Sequence, residues 1–265
     1  MHLPQTHDEP PHDHPQRMTS PAPQSLFTLE AMQFFGRVAS DYESMFSIEV
    51  AALAGRRVLD CPSGPSSFVA EATARGAQVV GVDPLYELPL DELVRRGAND
   101  VEHTVERMQA NASRFADIDL PAYAHGKLQA LVRFARHFEQ GLARGQYLAA
   151  RLPHLPFQDR HFDLTLSAHL LFTYSSPETG GVMQSSPFPL DWHLAAADAL
   201  MRVTRGELRL YPTTTRWVTP CRHPYAEAVA AHFKAQGLAV RYEPSRFARG
   251  TVADDHLNAC MVISR

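Results

Sequence analysis

The chain has 265 residues and a formal net charge of −4, with 25 Lys and Arg against 29 Asp and Glu. That length suits one sizeable domain, or a domain with a subdomain. The slightly acidic balance, without any Lys/Arg-rich run, disfavours nucleic acid as a partner. The 3 cysteines, Cys61, Cys221 and Cys260, are too widely spaced for a disulfide framework or a zinc pattern and suit a reducing, cytoplasmic setting. No apolar run approaches membrane-spanning length and the N-terminal stretch does not read as a signal peptide, so no membrane partner is expected.

Residues 1–24 are rich in Pro and His with almost nothing to bury, which predicts a disordered tail. His7, His12 and His14 lie there beside Asp8 and Asp13 without a fixed ligand geometry, and no metal site is expected. From Ser25 the pattern changes. Phe27, Phe34, Val38, Tyr42, Met45 and Val50 recur at helical spacing and predict a helix ahead of the first strand.

The most informative stretch is Arg57 to Pro84. Two short apolar β-type runs, Val58-Leu59 and Val79-Val80-Gly81-Val82, each end in an acidic residue, Asp60 and Asp83. Between them lie a Pro/Ser/Gly turn and a helical segment (Phe68, Ala72, Arg75) closed by Gly76. This is a β-loop-α-β unit with a nucleotide-type turn. An acidic residue ending the second strand sits where a ribose diol would be bound, and a carboxylate accepts two hydroxyl donors at once. The loop Cys61-Pro62-Ser63-Gly64-Pro65-Ser66-Ser67 has a single glycine, and its two prolines remove N–H donors. It is a poor cradle for a pyrophosphate and better suited to a nucleoside cofactor without phosphate, such as S-adenosylmethionine (SAM).

From Asp83 to Arg151 the chain is longer than a simple crossover requires. It reads as helices over Leu90–Gly97, Val101–Phe115 and Leu128–Leu142, followed by a third strand at Gln146–Ala149. The surplus, about 86–145, is expected to be a helical cap over the cleft, with a homodimer contact as its competing role. A fourth strand runs from Phe162 to His169. In an open α/β sheet ligands bind outside the carboxyl ends of the strands, which directs Ser167 and His169 toward the site, with Tyr174 following. The Gly/Pro/Ser-rich run Ser175–Pro189 reads as a mobile flap. Asp191 is expected to cap the next helix, with His193 on its surface. A fifth strand at Glu207–Tyr211 leads to a polar turn holding Arg216 and Trp217. A helix from Tyr225 to Gly237 and strands at Val240–Tyr242 and Leu257–Ile263 complete the pattern.

The segments V-L-D-C-P-S-G-P-S-S-F and V-V-G-V-D-P resemble motifs I and II of the class I SAM-dependent methyltransferases. Leu152 to His169 resembles the family's "LPF-x-D-x-x-F-D" run, and Ala195 to Leu210 its helix, turn and fifth strand. The likeness covers Arg57–Leu210 well and the two ends by position only. It departs from the family where G-x-G-x-G is occupied by Pro62, Gly64 and Ser66, and where Arg151-Leu152 stands in place of an adenine-contacting acid. The resemblance implies a Rossmann-like, doubly wound, mostly parallel seven-stranded sheet with an antiparallel last hairpin and a helical insertion, all within a domain spanning 25–265.

It also implies SAM as cofactor, with an N-terminal helix lying across the cofactor cleft. On that helix Arg37 pairs with the methionyl carboxylate and Tyr42 covers the cofactor. Asp83 holds the ribose, Gly64 gives room for the aminopropyl arm, and Asp60 orients the loop. Pro62, Ser63, Pro84, Leu152 and Ser167 complete the expected cofactor set. His169 is the candidate general base, since a histidine pKa lies near working pH, and Tyr174 is the second catalytic candidate. The expected activity is methyl transfer to an O, N or C nucleophile of a small molecule. A non-catalytic, methyltransferase-like SAM-binding or interaction protein is the alternative. A nicotinamide-dependent oxidoreductase and a protein methyltransferase stand further back.

Overall fold

The computed structural model describes residues 27–116, 118–247 and 257–265. The expected tail at 1–24 and the segment holding Arg249, Asp254, Asp255 and His256 lie outside them. Seven strands form one sheet among the described residues: β1 (Arg57–Asp60), β2 (Gln78–Val82), β3 (Tyr147–Leu148), β4 (Phe162–Ala168), β5 (Thr204–Tyr211), β6 (Ala239–Pro244) and β7 (Ala259–Ser264). Their order is β3-β2-β1-β4-β5-β7-β6. β1 pairs in parallel with β2 and β4, and β4 with β5, whereas β7 runs antiparallel to both β5 and β6. This is the doubly wound, mostly parallel sheet with an antiparallel last hairpin expected from the sequence.

Period-2 alternation along the strands divides the apolar side chains between two cores. Val58, Leu164 and Val262 face a layer containing α1 (Ala39–Phe46), α2 (Phe68–Ala74), α3 (Leu90–Gln109) and α4 (Leu120–Ala143). Leu59, Leu208 and Ile263 face α5 (Leu190–Val203) and α6 (Pro224–Ala235). Fully burying each such side chain contributes about 1.5–3 kcal/mol, so both faces are strongly driven to be covered. The order reverses between β1 and β4, which opens a crevice at their carboxyl ends.

The structure corrects several expectations. The helix foreseen from Phe27 onward forms only as α1, and residues 27–38 instead run as a non-helical strap. Tertiary partners satisfy that strap's backbone: Leu29 N–H donates to Val182 O at 2.7 Å, and Gln184 N–H to Leu29 O at 3.0 Å. Phe34 N–H donates to Asp100 Oδ2 at 2.6 Å. At Gly36 an added Cβ would lie 2.1 Å from Pro65 O, so the strap passes against the loop after β1 with no room for a side chain. The two helices expected on either side of Gly97 are one, α3, because Gly97 is a packing position rather than a stop. A Cβ there would meet Leu131 Cδ1 of α4 at 3.0 Å. α4 begins earlier than its apolar period suggested, capped by the Asp119 side chain on Ala122 N–H at 2.9 Å with Pro121 in the first turn.

α5 is flanked at its start by Pro189, so Asp191 lies in the first turn, favourably placed for the helix dipole, and is not the cap. His193 is not on the surface. It is fully buried and stacks on Phe172 at 5.8 Å and 11°. The run 175–189 is tied in by backbone hydrogen bonds to the strap and by Trp217 Nε1–H donating to Pro177 O at 2.8 Å. β5 starts directly from α5 at Thr204, without the foreseen turn. No helix among the described residues is long and apolar enough to cross a membrane.

Candidate functional site

A cleft of about 520 Å³ opens at the carboxyl ends of β1, β2 and β4. Its wall includes eight of the expected residues, Arg37, Tyr42, Pro62, Ser63, Gly64, Asp83, Pro84 and Leu152, together with His169 and Tyr174. Asp60 and Ser167 do not line it; both are buried behind the wall.

The loop after β1 is built inward. Cys61 N–H donates to Leu166 O at 3.0 Å, Ser63 N–H to Val82 O at 2.9 Å and Ser67 N–H to Arg37 O at 3.1 Å. Gly64 N–H donates to Asp83 Oδ2 at 3.2 Å, and Phe68 N–H to Ser66 Oγ at 3.0 Å. Pro62 and Pro65 have no N–H to offer. Four of the five N–H donors in the loop 61–67, those of Cys61, Ser63, Gly64 and Ser67, are therefore consumed within the fold, which leaves a poor cradle for a pyrophosphate. Gly64 sits at φ +54, a left-handed conformation that glycine adopts without penalty, and an added Cβ would meet only Phe35 O at 3.9 Å.

Asp83 crosses from β2 to hold this loop. Its Oδ1 accepts Leu85 N–H at 2.9 Å, capping the 3-10 turn Pro84–Glu87, and its Oδ2 accepts Gly64 N–H. A carboxylate offers about four acceptor sites, so two remain for a ligand. Burial raises the Asp83 pKa from 3.8 to about 6, against the pull of the two backbone N–H groups and of Arg96. Behind it Asp60 is fully buried, with Tyr42 O–H donating to its Oδ2 at 2.9 Å. Burial raises Asp60 to about 7, opposed by the Ser63 and Tyr42 hydroxyls and reinforced by the charge of Asp83. Tyr42 is fixed by stacking on Phe68 at 4.2 Å and 9°. It therefore orients Asp60 as well as facing the cleft.

His169 follows β4 with φ 59, a conformation uncommon outside glycine, and its N–H donates to Tyr211 O at 2.7 Å. Its ring packs edge-on against Tyr211 at 5.4 Å and Phe247 at 6.2 Å. Tyr174 uses its hydroxyl oxygen to accept the strap N–H of Gln33 at 3.1 Å. Its proton remains available for donation, and burial raises its pKa.

A second lobe of about 410 Å³ adjoins the first and shares Gln33, Phe35, Arg37, His169 and Tyr174 with it. The second half of α3 and the first half of α4 contribute Thr104, Met108, Tyr123 and Lys127 to its wall. Lys127 and Tyr123 were not foreseen, because on a helix they read as ordinary amphipathic positions. Tyr86, whose O–H donates to Gly64 O at 2.6 Å, was also missed. So were the paired rings of Phe188 and Trp192, 4.2 Å apart on the wall of the first lobe.

No family model matches the chain. The uncharacterized protein MJ0045 of Methanocaldococcus jannaschii is 23% identical over 183 residues, covering 67% of this chain and 76% of its own. The magnesium protoporphyrin IX methyltransferase of Synechocystis PCC 6803, a structure with bound SAM, is 14% identical, with a TM-score of 0.42 over 81% of this chain and 72% of that one. The 1,6-didemethyltoxoflavin-N1-methyltransferase of Burkholderia thailandensis is 11% identical, with a TM-score of 0.38 over 85% and 84%. The strand order and pairing, rather than these likenesses, define the fold of this chain.

Proposed function

We propose that this chain is a SAM-dependent methyltransferase acting on a small molecule. One observation carries the reading: a buried carboxylate, Asp83, stands at the end of β2 on the cleft wall, beside a loop with two prolines in which four of the five N–H donors are already spent. Such a site suits a nucleoside with a free diol and no phosphate. The cleft volume falls within the usual range for small-molecule sites, about 300–1,000 Å³.

In this reading Asp83 accepts the ribose hydroxyls. Gly64 leaves space for the aminopropyl arm, Arg37 meets the carboxylate, and Leu152, Phe188 and Trp192 supply apolar surface for the base. When bound, SAM supplies an electrophilic methyl group, which an O, N or C nucleophile of the acceptor takes up. The chain contributes chiefly by placing the two lobes side by side and excluding water, and positioning alone lowers such barriers by several kcal/mol, up to ~7–11. In this reading His169 takes a proton from the acceptor, and its position on the wall of both lobes supports that role. The 86–145 segment acts as the cap, since its helices wall the acceptor lobe.

The second reading, a non-catalytic SAM-binding protein, draws on Tyr174, whose hydroxyl oxygen is already committed to the strap. Incubation with methyl-labelled SAM and a panel of small acceptors separates the two readings. Label transfer that falls at least tenfold in His169→Ala, with unchanged affinity for S-adenosylhomocysteine, supports the enzyme. Cofactor binding without transfer to any acceptor favours the second reading.

A further inference from the structure

Lys127 Nζ and Asp41 Oδ2 stand 3.9 Å apart on the wall of the second lobe, wider than a hydrogen bond. Neither side chain makes a hydrogen bond among the described residues, although Lys127 is only 5% exposed. Leaving a buried donor and a nearby acceptor unsatisfied is costly, and a group that fits between them removes that cost. Two rings flank the amine, with centres 5.6 Å away for Phe35 and 5.4 Å away for Tyr123. These rings meet edge to face, 6.4 Å apart at 79°. The charges of the lobe are closed. Arg37 meets the cofactor's carboxylate in the reading above, and the other cationic side chains on the wall, Lys127 and Arg216, are equalled in number by Asp41 and Asp119. Burial, then the charge of Arg37, hold the Lys127 amine well below the ordinary lysine range, with Asp41 opposing them. An amine keeps N–H donors in either protonation state, so its hydrogen bonding does not depend on its charge.

We infer that the acceptor lobe takes a neutral hydroxyarene, with its ring against Phe35 and Tyr123 and its hydroxyl bridging Lys127 and Asp41. This rests on the reading of the first lobe as the cofactor site. A hydroxyl is both acceptor and donor, so it takes an N–H from Lys127 and gives its proton to the Asp41 carboxylate. A bare hydrocarbon makes neither bond. An aromatic carboxylate accepts from Lys127 but sets a second anion beside Asp41. The edge-to-face wall of Phe35 and Tyr123 suits an aromatic ring. Phe35 also walls the first lobe, so a ring anchored here extends toward the cofactor. The bridging hydroxyl is the anchor of the acceptor, and the methylated atom lies toward His169. Lys127 and Asp41 are thus specificity residues rather than participants in methyl transfer.

The test is fluorescence titration of the full chain with 2-naphthol, naphthalene and 2-naphthoate, in the presence and absence of S-adenosylhomocysteine. 2-Naphthol is expected to bind about tenfold or more tightly than either of the others, a comparison that needs no variant. Lys127→Met and Asp41→Ala should each remove the advantage of the hydroxyl over the hydrocarbon. Asp41→Ala should also tighten 2-naphthoate binding, because the opposing carboxylate is gone. Affinity for S-adenosylhomocysteine stays within about twofold in both variants, which also reports that they fold. Equal affinity for 2-naphthol and naphthalene, tighter binding of 2-naphthoate, no binding of any of the three, or a hydroxyl preference that survives either substitution would overturn the inference. A hydroxyl preference with no binding of S-adenosylhomocysteine instead removes the cofactor reading of the first lobe and leaves the hydroxyl site standing.

Discussion

Asp83 and Gly64 belong to successive turns of the βαβ unit, yet the Asp83 carboxylate accepts the Gly64 N–H at 3.2 Å. One side chain thereby ties the end of β2 to the loop after β1 and keeps spare acceptor capacity toward the cleft. Replacing Asp83 by Ala removes both the loop anchor and the proposed ribose contact. A hydrogen bond to a charged group is worth about 1.5–3 kcal/mol, so SAM affinity should fall by roughly tenfold to a hundredfold or more. Unchanged affinity by calorimetry would contradict the assignment.

The same residue predicts a pH dependence of binding. The Asp83 pKa of about 6 in the folded protein means that the carboxyl is protonated, and a poorer acceptor, in mildly acidic solution. SAM affinity should therefore rise as pH increases toward about 6, with a limiting slope of tenfold per unit, and level off above it. Asp83→Asn should flatten that profile.

Asp60 predicts a pH dependence of stability. Its folded pKa of about 7 lies above the ordinary 3.8, so between these values the folded state binds more protons than the unfolded state. Stability contributed by this group is fully present below about pH 4 and is lost as pH rises through 7. Three pKa units correspond to on the order of 4 kcal/mol for a group this fully buried. Asp60→Asn should raise the melting temperature at pH 8 and lose that advantage near pH 4. Tyr42→Phe should act in the opposite direction at pH 8, since it strips the ionised carboxylate of its donor.

Gly36→Ala should destabilise the protein by about 2 kcal/mol or more, because the new methyl group would overlap the Pro65 carbonyl. Chemical denaturation measures this directly. The strap carries one wall of both lobes, so ligand affinity should fall with it; a neutral substitution would mean that the strap can move away freely.

The central sheet was legible because its signals are local. Val58-Leu59-Asp60 and Val79 to Asp83 carry strand period, turn and terminal acid within one short span, and β1 and β2 formed there. The strap was misread because Phe34 and Val38 have helical spacing. Their conformation is decided by Asp100 and the Val182 carbonyl, contacts far along the chain that no local period reveals. Gly97 was misread for a related reason: a glycine that stops a helix and one that lets a second helix approach look the same in sequence. Of the site, Asp83 and Gly64 were visible in their motif. Lys127 and Tyr123 were not, since their importance arises only when α4 lies beside Phe35.

The most direct measurement is calorimetric titration of the purified chain with SAM and S-adenosylhomocysteine, with NAD and NADP as controls. Micromolar binding of the first pair, weakened in Asp83→Ala and absent for the dinucleotides, is the expected result. Binding of a dinucleotide, or of neither sulfur nucleoside, would contradict the cofactor reading and leave a methyltransferase-shaped protein that does something else.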